Sequence, residues 1–147
     1  MKYVHTNLIA RDWRKLSEFY CKVFECVPVP PERDLEGEWL DDATGLRDVH
    51  IRGVHLRLPG YGDNGPTLEI FQYNGIKPWP EKSPDSQGFG HITFSVENVE
   101  ETLEKILAAG GGSVGAVTEV RIEGAGTIKF VYARDPEGNI IEVQQSH

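Results

Sequence analysis

One pattern is written twice in this chain, and it constrains the fold more than any other feature. Residues 88–110 read GFGHITFSVENVEETLEKILAAG, and residues 3–24 read YVHTNLIARDWRKLSEFYCKVF. In the later copy His91 stands early in a strand. Ile92, Phe94 and Val96 alternate with Thr93 and Ser95, the period-two pattern of a strand with one apolar face. Asn98 is a good helix N-cap, and Glu101 could complete a capping box. Val99, Leu103, Ile106 and Leu107 then form one apolar helical stripe. Glu100, Glu101 and Glu104 load the first turns with negative charge, which suits the helix dipole. Gly110 falls where a C′ glycine would end the helix. In the earlier copy His5 is followed seven residues later by Asp12, as His91 is by Asn98. A duplication of this kind decides the architecture.

The remaining segments fill out two modules. The first strand covers about 3–10. A helix over about 12–24 buries Trp13, Leu16, Phe19, Tyr20, Val23 and Phe24. Pro28, Pro30 and Pro31 forbid helix and give a stiff, extended exit. Residues 32–38 are charged and read as a loop. A short helix over 39–44 ends at Gly45. Residues 48–58 alternate as a strand, with Gly53 as a bulge or close-approach point. PGYGDNGP is a turn by its chemistry, and TLEIFQY (67–73) is the next strand. In the second half, strands are expected over 113–122, 127–133 and 140–145, with turns at 124–126 and at DPEGN (135–139). The expected fold is α+β: two tandem βαβββ modules whose strands curve together in a mixed sheet, with helices outside. Module one takes 1–75, module two takes 88–147, and a proline-bearing linker takes 76–87. Together they make a single domain over 1–147, because neither half buries its helix well alone.

The totals exclude several classes. A net charge of −8 over 147 residues leaves no basic patch for nucleic acid. No run of eighteen apolar residues offers a membrane span. The start, MKYVHTNLIARD, turns polar too soon for a secretory signal. Cys21 and Cys26 lie at a helix end where a disulfide is awkward, and they read as reduced thiols of a cytoplasmic protein.

Four residues stand out by equivalence. His5 and His91 share a place in the first strand of each half, and Glu69 and Glu142 share a place in the last. A single strand histidine or glutamate is ordinarily hydrogen-bonded or solvated on an open face, and His50, His55 and His147 receive that reading. A glutamate inside a run such as LEIF is costly to bury unless it is paired or binds a metal. If the halves pack about a pseudo-two-fold, all four residues converge. Two imidazoles and two carboxylates then suit a divalent ion such as Zn, Ni, Co, Mn or Fe. A six-coordinate ion would keep two positions for water or substrate.

His5 with ARDWRKLSEFYCKVF, the LEIFQY strand, GFGHITFSV with its helix, and above all DPEGNIIEV carry a family likeness. The chain resembles the vicinal oxygen chelate superfamily, which includes glyoxalase I, methylmalonyl-CoA epimerase, extradiol dioxygenases, and fosfomycin and bleomycin resistance proteins. The resemblance implies two βαβββ modules forming a cup around a metal, with His5, Glu69, His91 and Glu142 as its ligands. It implies a lyase or isomerase that stabilises an enediolate on the metal, with Glu142 or Glu69 as general base. Proton return to the neighbouring carbon is glyoxalase chemistry, and return to the same carbon is epimerisation. Glyoxalase I usually carries an Asn four residues after the first Glu to contact glutathione; here that place is Tyr73, and Asn74 is one step off, which favours the broader glyoxalase-family expectation. The rival expectations are a ring-cleaving extradiol-type dioxygenase, which Glu69 would crowd, and a non-catalytic drug-binding protein, against which the intact four residues argue. A small-molecule substrate is expected, and the family resemblance suggests a homodimer. Arg52, Arg57, Arg121 and Lys129 are cations able to hold a substrate anion, though a surface role is the simpler reading and none is assigned.

Overall fold

A computed structural model describes residues 1–78, 80–124 and 126–146. Trp79 of the expected linker, Ala125 of the expected turn at 124–126, and His147 lie outside them. The chain divides into two compact units, Met1–Trp79 and Pro80–His147. The α+β class and the tandem order of the sequence reading hold.

Unit 1 runs β1 (His5–Ile9), α1 (Trp13–Phe24), β2 (Val27–Glu36), α2 (Glu38–Thr44), β3 (His50–Arg57) and β4 (Thr67–Tyr73). Its strands form one mixed sheet in the order β1-β4-β3-β2, with β1 parallel to β4 and the other pairs antiparallel. Asp12 caps α1 by accepting from the Lys15 N–H at 3.2 Å. All six residues expected on the buried side of α1 are buried. They face the apolar side of the sheet, where Val54, Leu56, Leu68 and Ile70 are buried. Period-two alternation turns His5, Asn7, His55 and Glu69 to the opposite face.

One expectation for this unit is corrected. Residues 32–36 belong to a strand, not a loop. β2 lies at the sheet edge, where a proline's missing N–H leaves no ladder bond unmade. Its register slips between Val29 and Arg33, so the Pro30–Pro31 segment bulges out, and pairing resumes at Arg33 opposite Gly53. The charged run is an edge strand's solvated face, which composition alone reads as loop.

Unit 2 runs β5 (Ile92–Ser95), α3 (Val99–Ala108), β6 (Gly112–Ser113), β7 (Thr118–Ile122), β8 (Gly126–Arg134) and β9 (Ile140–Ser146). The order is β5-β9-β8-β6, with β7 also paired to β8, and β5 is parallel to β9. Asn98 caps α3 through the Glu101 N–H at 3.1 Å. At the other end the Gly111 N–H reaches Ile106 O at 2.9 Å and the Gly110 N–H reaches Leu107 O at 3.2 Å. Gly110 is left-handed at φ 90, so this is a Schellman ending with glycine at C′.

Two details here differ from the sequence reading. The buried face of α3 is Val99, Thr102 and Ile106, while Leu107 is 48% exposed. Thr102 tolerates burial because its hydroxyl donates to Asn98 O at 2.8 Å. The strand expected over 113–122 is two strands, because the Val114 and Gly115 N–H groups both converge on Tyr132 O and regular pairing resumes only at Thr118; both parts pair with β8. The DPEGN turn is as expected. Buried Asp135 accepts from the Glu137 and Asn139 N–H groups, both at 2.9 Å, and Gly138 is left-handed at φ 88.

Both cysteines are free. Burial pushes the Cys26 thiol from 9.0 up to about 12, with Cys21 adding to it; burial and then Glu18 also raise Cys21. Cys26 therefore stays a thiol at neutral pH and is a poor nucleophile. We predict that Cys26 resists a thiol reagent at pH 8 in native protein and reacts once denaturant is added. The burial stabilises the fold fully below pH 9.0, and that contribution is lost as pH rises towards about 12. Native reaction of Cys26 as fast as that of the unfolded chain would contradict this.

Among the described residues, no helix is long and apolar enough to cross a membrane.

Candidate metal centre

The two glutamates do not sit on solvated edges. β4 lies between β1 and β3, and β9 lies between β5 and β8. The Glu69 side chain is 13% exposed and that of Glu142 is 16%. Carboxylates so withdrawn from water need partners, and imidazoles supply them.

In unit 1, Asn7 stands opposite Glu69 on the parallel β1–β4 pair, and His55 stands opposite it on the antiparallel β3–β4 pair. Asn7 Nδ2 donates to Glu69 Oε2 at 2.9 Å. His5 Nε2 lies 3.5 Å from the same oxygen. His55 Nε2 lies 2.9 Å from Glu69 Oε1, and His55 Nδ1 lies 3.0 Å from Thr67 Oγ1. The His5 and His55 rings meet edge to face at 5.6 Å. Burial holds His55 below the ordinary imidazole pKa; Glu69 opposes this, while Arg33 and His5 add to it. Burial, then the Glu69 charge, raises the Tyr73 phenol.

Unit 2 repeats the arrangement with different chemistry at two places. Thr93 stands opposite Glu142 on β5–β9, as Asn7 does opposite Glu69, and Tyr132 stands opposite it on β8–β9, as His55 does. His91 Nε2 lies 2.9 Å from Glu142 Oε2, and Thr93 Oγ1 donates to that oxygen at 3.2 Å. The His91 and Tyr132 rings lie 5.1 Å apart. Among the described residues no donor reaches Glu142 Oε1, whereas both oxygens of Glu69 are engaged.

The structure thus brings His5 to Glu69 and His91 to Glu142, each pair within its own unit. It also adds His55, which the sequence reading set aside. The available signal was the hairpin: closing the turn at 59–65, with the Leu58 N–H on Pro66 O, sets His55 across from Glu69. His50 fits its structural reading, paired with Asp34 across β2–β3. Three of the four candidate anion-holding cations are engaged elsewhere: Arg57 with Asp63 at 2.6 Å, Lys129 with Glu100 at 2.8 Å, and Arg52 with Asp34 at 3.6 Å. Asn74 is also committed. It donates to Asp48 O at 2.8 Å and accepts from the His50 N–H at 3.1 Å, bracing the start of β3 against the end of β4.

Each unit thus carries a half-buried glutamate on an interior strand, facing a histidine at or just before the start of the neighbouring parallel strand. The chain belongs to the Glyoxalase/Bleomycin resistance protein/Dioxygenase superfamily, whose sequence profile matches residues 2–143. Among individual proteins, it is 28% identical over 148 residues to a probable lactoylglutathione lyase of Vibrio parahaemolyticus, covering 99% of this chain and 91% of that one. It is 27% identical to the lactoylglutathione lyase of Escherichia coli O157:H7 over 145 residues, covering 97% and 91%. The crystal structure of a glyoxalase family protein from Bacillus cereus shares the fold, with a TM-score of 0.80 at 20% identity over 99% of this chain and 92% of that one.

Proposed function

We propose that this protein is a divalent-metal-dependent lyase or isomerase that moves a proton alpha to a carbonyl, with His5, Glu69, His91 and Glu142 as the metal ligands. One observation carries the reading: a His/Glu pair recurs at matched register in both sheets, with each carboxylate largely withdrawn from water. The donor chemistry fits a cation. Among the described residues neither carboxylate has a Lys or Arg within 4.0 Å, so imidazole, amide and hydroxyl groups are left facing uncompensated negative charge. A bound divalent ion supplies Lewis acidity to a substrate carbonyl and eases loss of the neighbouring proton.

The chain's own groups divide the remaining work. Glu142 is the general base: His91 and Thr93 hold Oε2, and Oε1 is left to take the α-proton and give it back. Glu69, engaged at both oxygens, is the static carboxylate. Return of the proton to the adjacent carbon completes a lyase-type isomerisation, and return to the opposite face of the same carbon completes an epimerisation. The names of the curated relatives favour a thiol-derived carbonyl substrate. The backbone duty of Asn74 leaves it unsuited to the glutathione contact expected of glyoxalase I, so the substrate class is kept at α-protonated thioesters and hemithioacetals. The reading takes 1–147 as one glyoxalase-like domain of a cytoplasmic homodimer.

The test joins metal analysis to proton exchange. Purified protein should carry near-stoichiometric divalent metal, and Glu69→Ala and His91→Ala should each lower it. The metal-loaded protein should exchange a substrate α-proton with deuterated water, and chelation should stop the exchange. Sub-stoichiometric metal unchanged by either substitution would sink the proposal, as would absence of exchange across thioester and hemithioacetal panels. Tight binding of a small molecule by metal-free protein, without exchange, would favour the drug-binding alternative.

A further inference from the structure

The repeat leaves one imidazole unexplained. His55 occupies in unit 1 the place that Tyr132 holds in unit 2, directly across the antiparallel ladder from the glutamate. The two positions match in register but not in chemistry. A phenol is a poor ligand for a divalent ion at neutral pH, whereas neutral imidazole is among the best.

The distances suit coordination. His5, His55 and Glu69 each offer one donor atom, and these atoms all lie within 4.8 Å of one another. His55 Nε2 is 2.9 Å from Glu69 Oε1, and His5 Nε2 is 3.5 Å from Oε2. Neighbouring ligands about 2.1 Å from one ion stand roughly 3.0–3.4 Å apart, so these pairs are already near that spacing. The far side of the ring fits too. Thr67 Oγ1 at 3.0 Å can accept the Nδ1–H, the outer hydrogen bond that fixes the tautomer of a ligating histidine. In that tautomer Nε2 turns a lone pair towards Glu69 Oε1, and a divalent cation joining the two would take the place of the hydrogen bond that the other tautomer makes there.

We propose that His55 is itself a metal ligand, so that unit 1 by itself contributes two imidazoles and one carboxylate, from His5, His55 and Glu69, to the divalent cation. The inference rests on the reading above that His5 and Glu69 bind metal. It also bears on substrate geometry. A third imidazole uses one of the coordination positions that a four-ligand site would leave open, so substrate would bind through fewer atoms.

The experiment uses the full chain, stripped by chelation and loaded with Co(II), with His55→Ala and His55→Gln beside the wild type. Affinity comes from titration of the visible Co(II) bands, coordinated imidazoles are counted by X-ray absorption, and circular dichroism confirms folding. Both variants should bind Co(II) about tenfold more weakly or worse, and both should show one coordinated imidazole fewer. His55→Gln can still hydrogen-bond to Glu69 and Thr67, so its failure to restore affinity separates ligation from positioning. An unchanged imidazole count overturns the proposal, whatever the affinity, as does recovery of wild-type affinity by His55→Gln. Either result leaves the parent reading intact. Co(II) binding indifferent to Glu69→Ala and His91→Ala removes the parent reading instead.

Discussion

Glu142→Gln is expected to lower substrate α-proton exchange by about 10²–10⁴-fold, the range for loss of a positioned general base, while the protein stays folded. The amide matches the carboxylate in shape and keeps an oxygen for His91 and Thr93, so once metal is saturating the main change is in the ability to accept a proton. The matched substitution Glu69→Gln gives the contrast. Glu69 is held from both sides, by Asn7 at 2.9 Å on Oε2 and by His55 at 2.9 Å on Oε1. Its loss should therefore register first as weaker metal binding and only secondarily in exchange. The measurement is deuterium incorporation at saturating metal for both variants. If Glu69→Gln costs as much exchange as Glu142→Gln, or more, the roles are reversed. If neither loses more than a few-fold, the proton is carried elsewhere.

That asymmetry was not legible in the sequence, although the four residues were. His5, His91, Glu69 and Glu142 emerge from a repeat, and a repeat is visible as spacing: a histidine, seven residues, a capping side chain, then an amphipathic helix. Both caps form as the spacing predicts. The parts that were missed depend on neighbours across space. β2 carries Pro28, Pro30, Pro31 and four charged residues within 27–36, and locally that composition favours loop. It becomes a strand because β3 offers an unpaired edge and the bulge carries 30–32 out of the ladder. Leu107 fits the periodicity of α3 yet lies outside its buried face, because the helix is only ten residues long and its contact with the sheet centres on Val99, Thr102 and Ile106. His55 was set aside because nothing in its own strand marks it. Its significance lies in facing Glu69, which is a matter of register, and register follows from turn closure rather than composition.

Register is also why a single methyl group at Gly53 should do large damage. Gly53 was expected to be a bulge or a close-approach point, and it is the latter. A Cβ built on it would lie 2.0 Å from Ile70 O, 2.6 Å from Phe71 Cδ1 and 3.0 Å from the Ile70 carbonyl carbon. The phenyl ring can rotate away, but the carbonyl belongs to the backbone of β4 and cannot retreat without parting the β3–β4 ladder. Both strands are interior to the sheet, so the strain has no edge to escape through. Gly53→Ala should destabilise the protein by about 3–5 kcal/mol, at or above the usual overpacking range because ladder bonds are strained as well. That corresponds to a fall in Tm on the order of 10 °C. Gly75→Ala is the control: nothing lies within 4 Å of its added Cβ, and its φ is outside the left-handed range, so its Tm should stay within a degree or two of wild type. A Gly53→Ala protein melting like the Gly75→Ala control would show that β3 and β4 are not as closely apposed as described. His55 lies two residues from Gly53, and Glu69 lies two residues from Phe71, the cross-strand partner of Gly53. The same shift should therefore move both side chains of the proposed metal site, and metal affinity measured below the melting range should fall along with stability, although Gly53 has no donor atom of its own to offer.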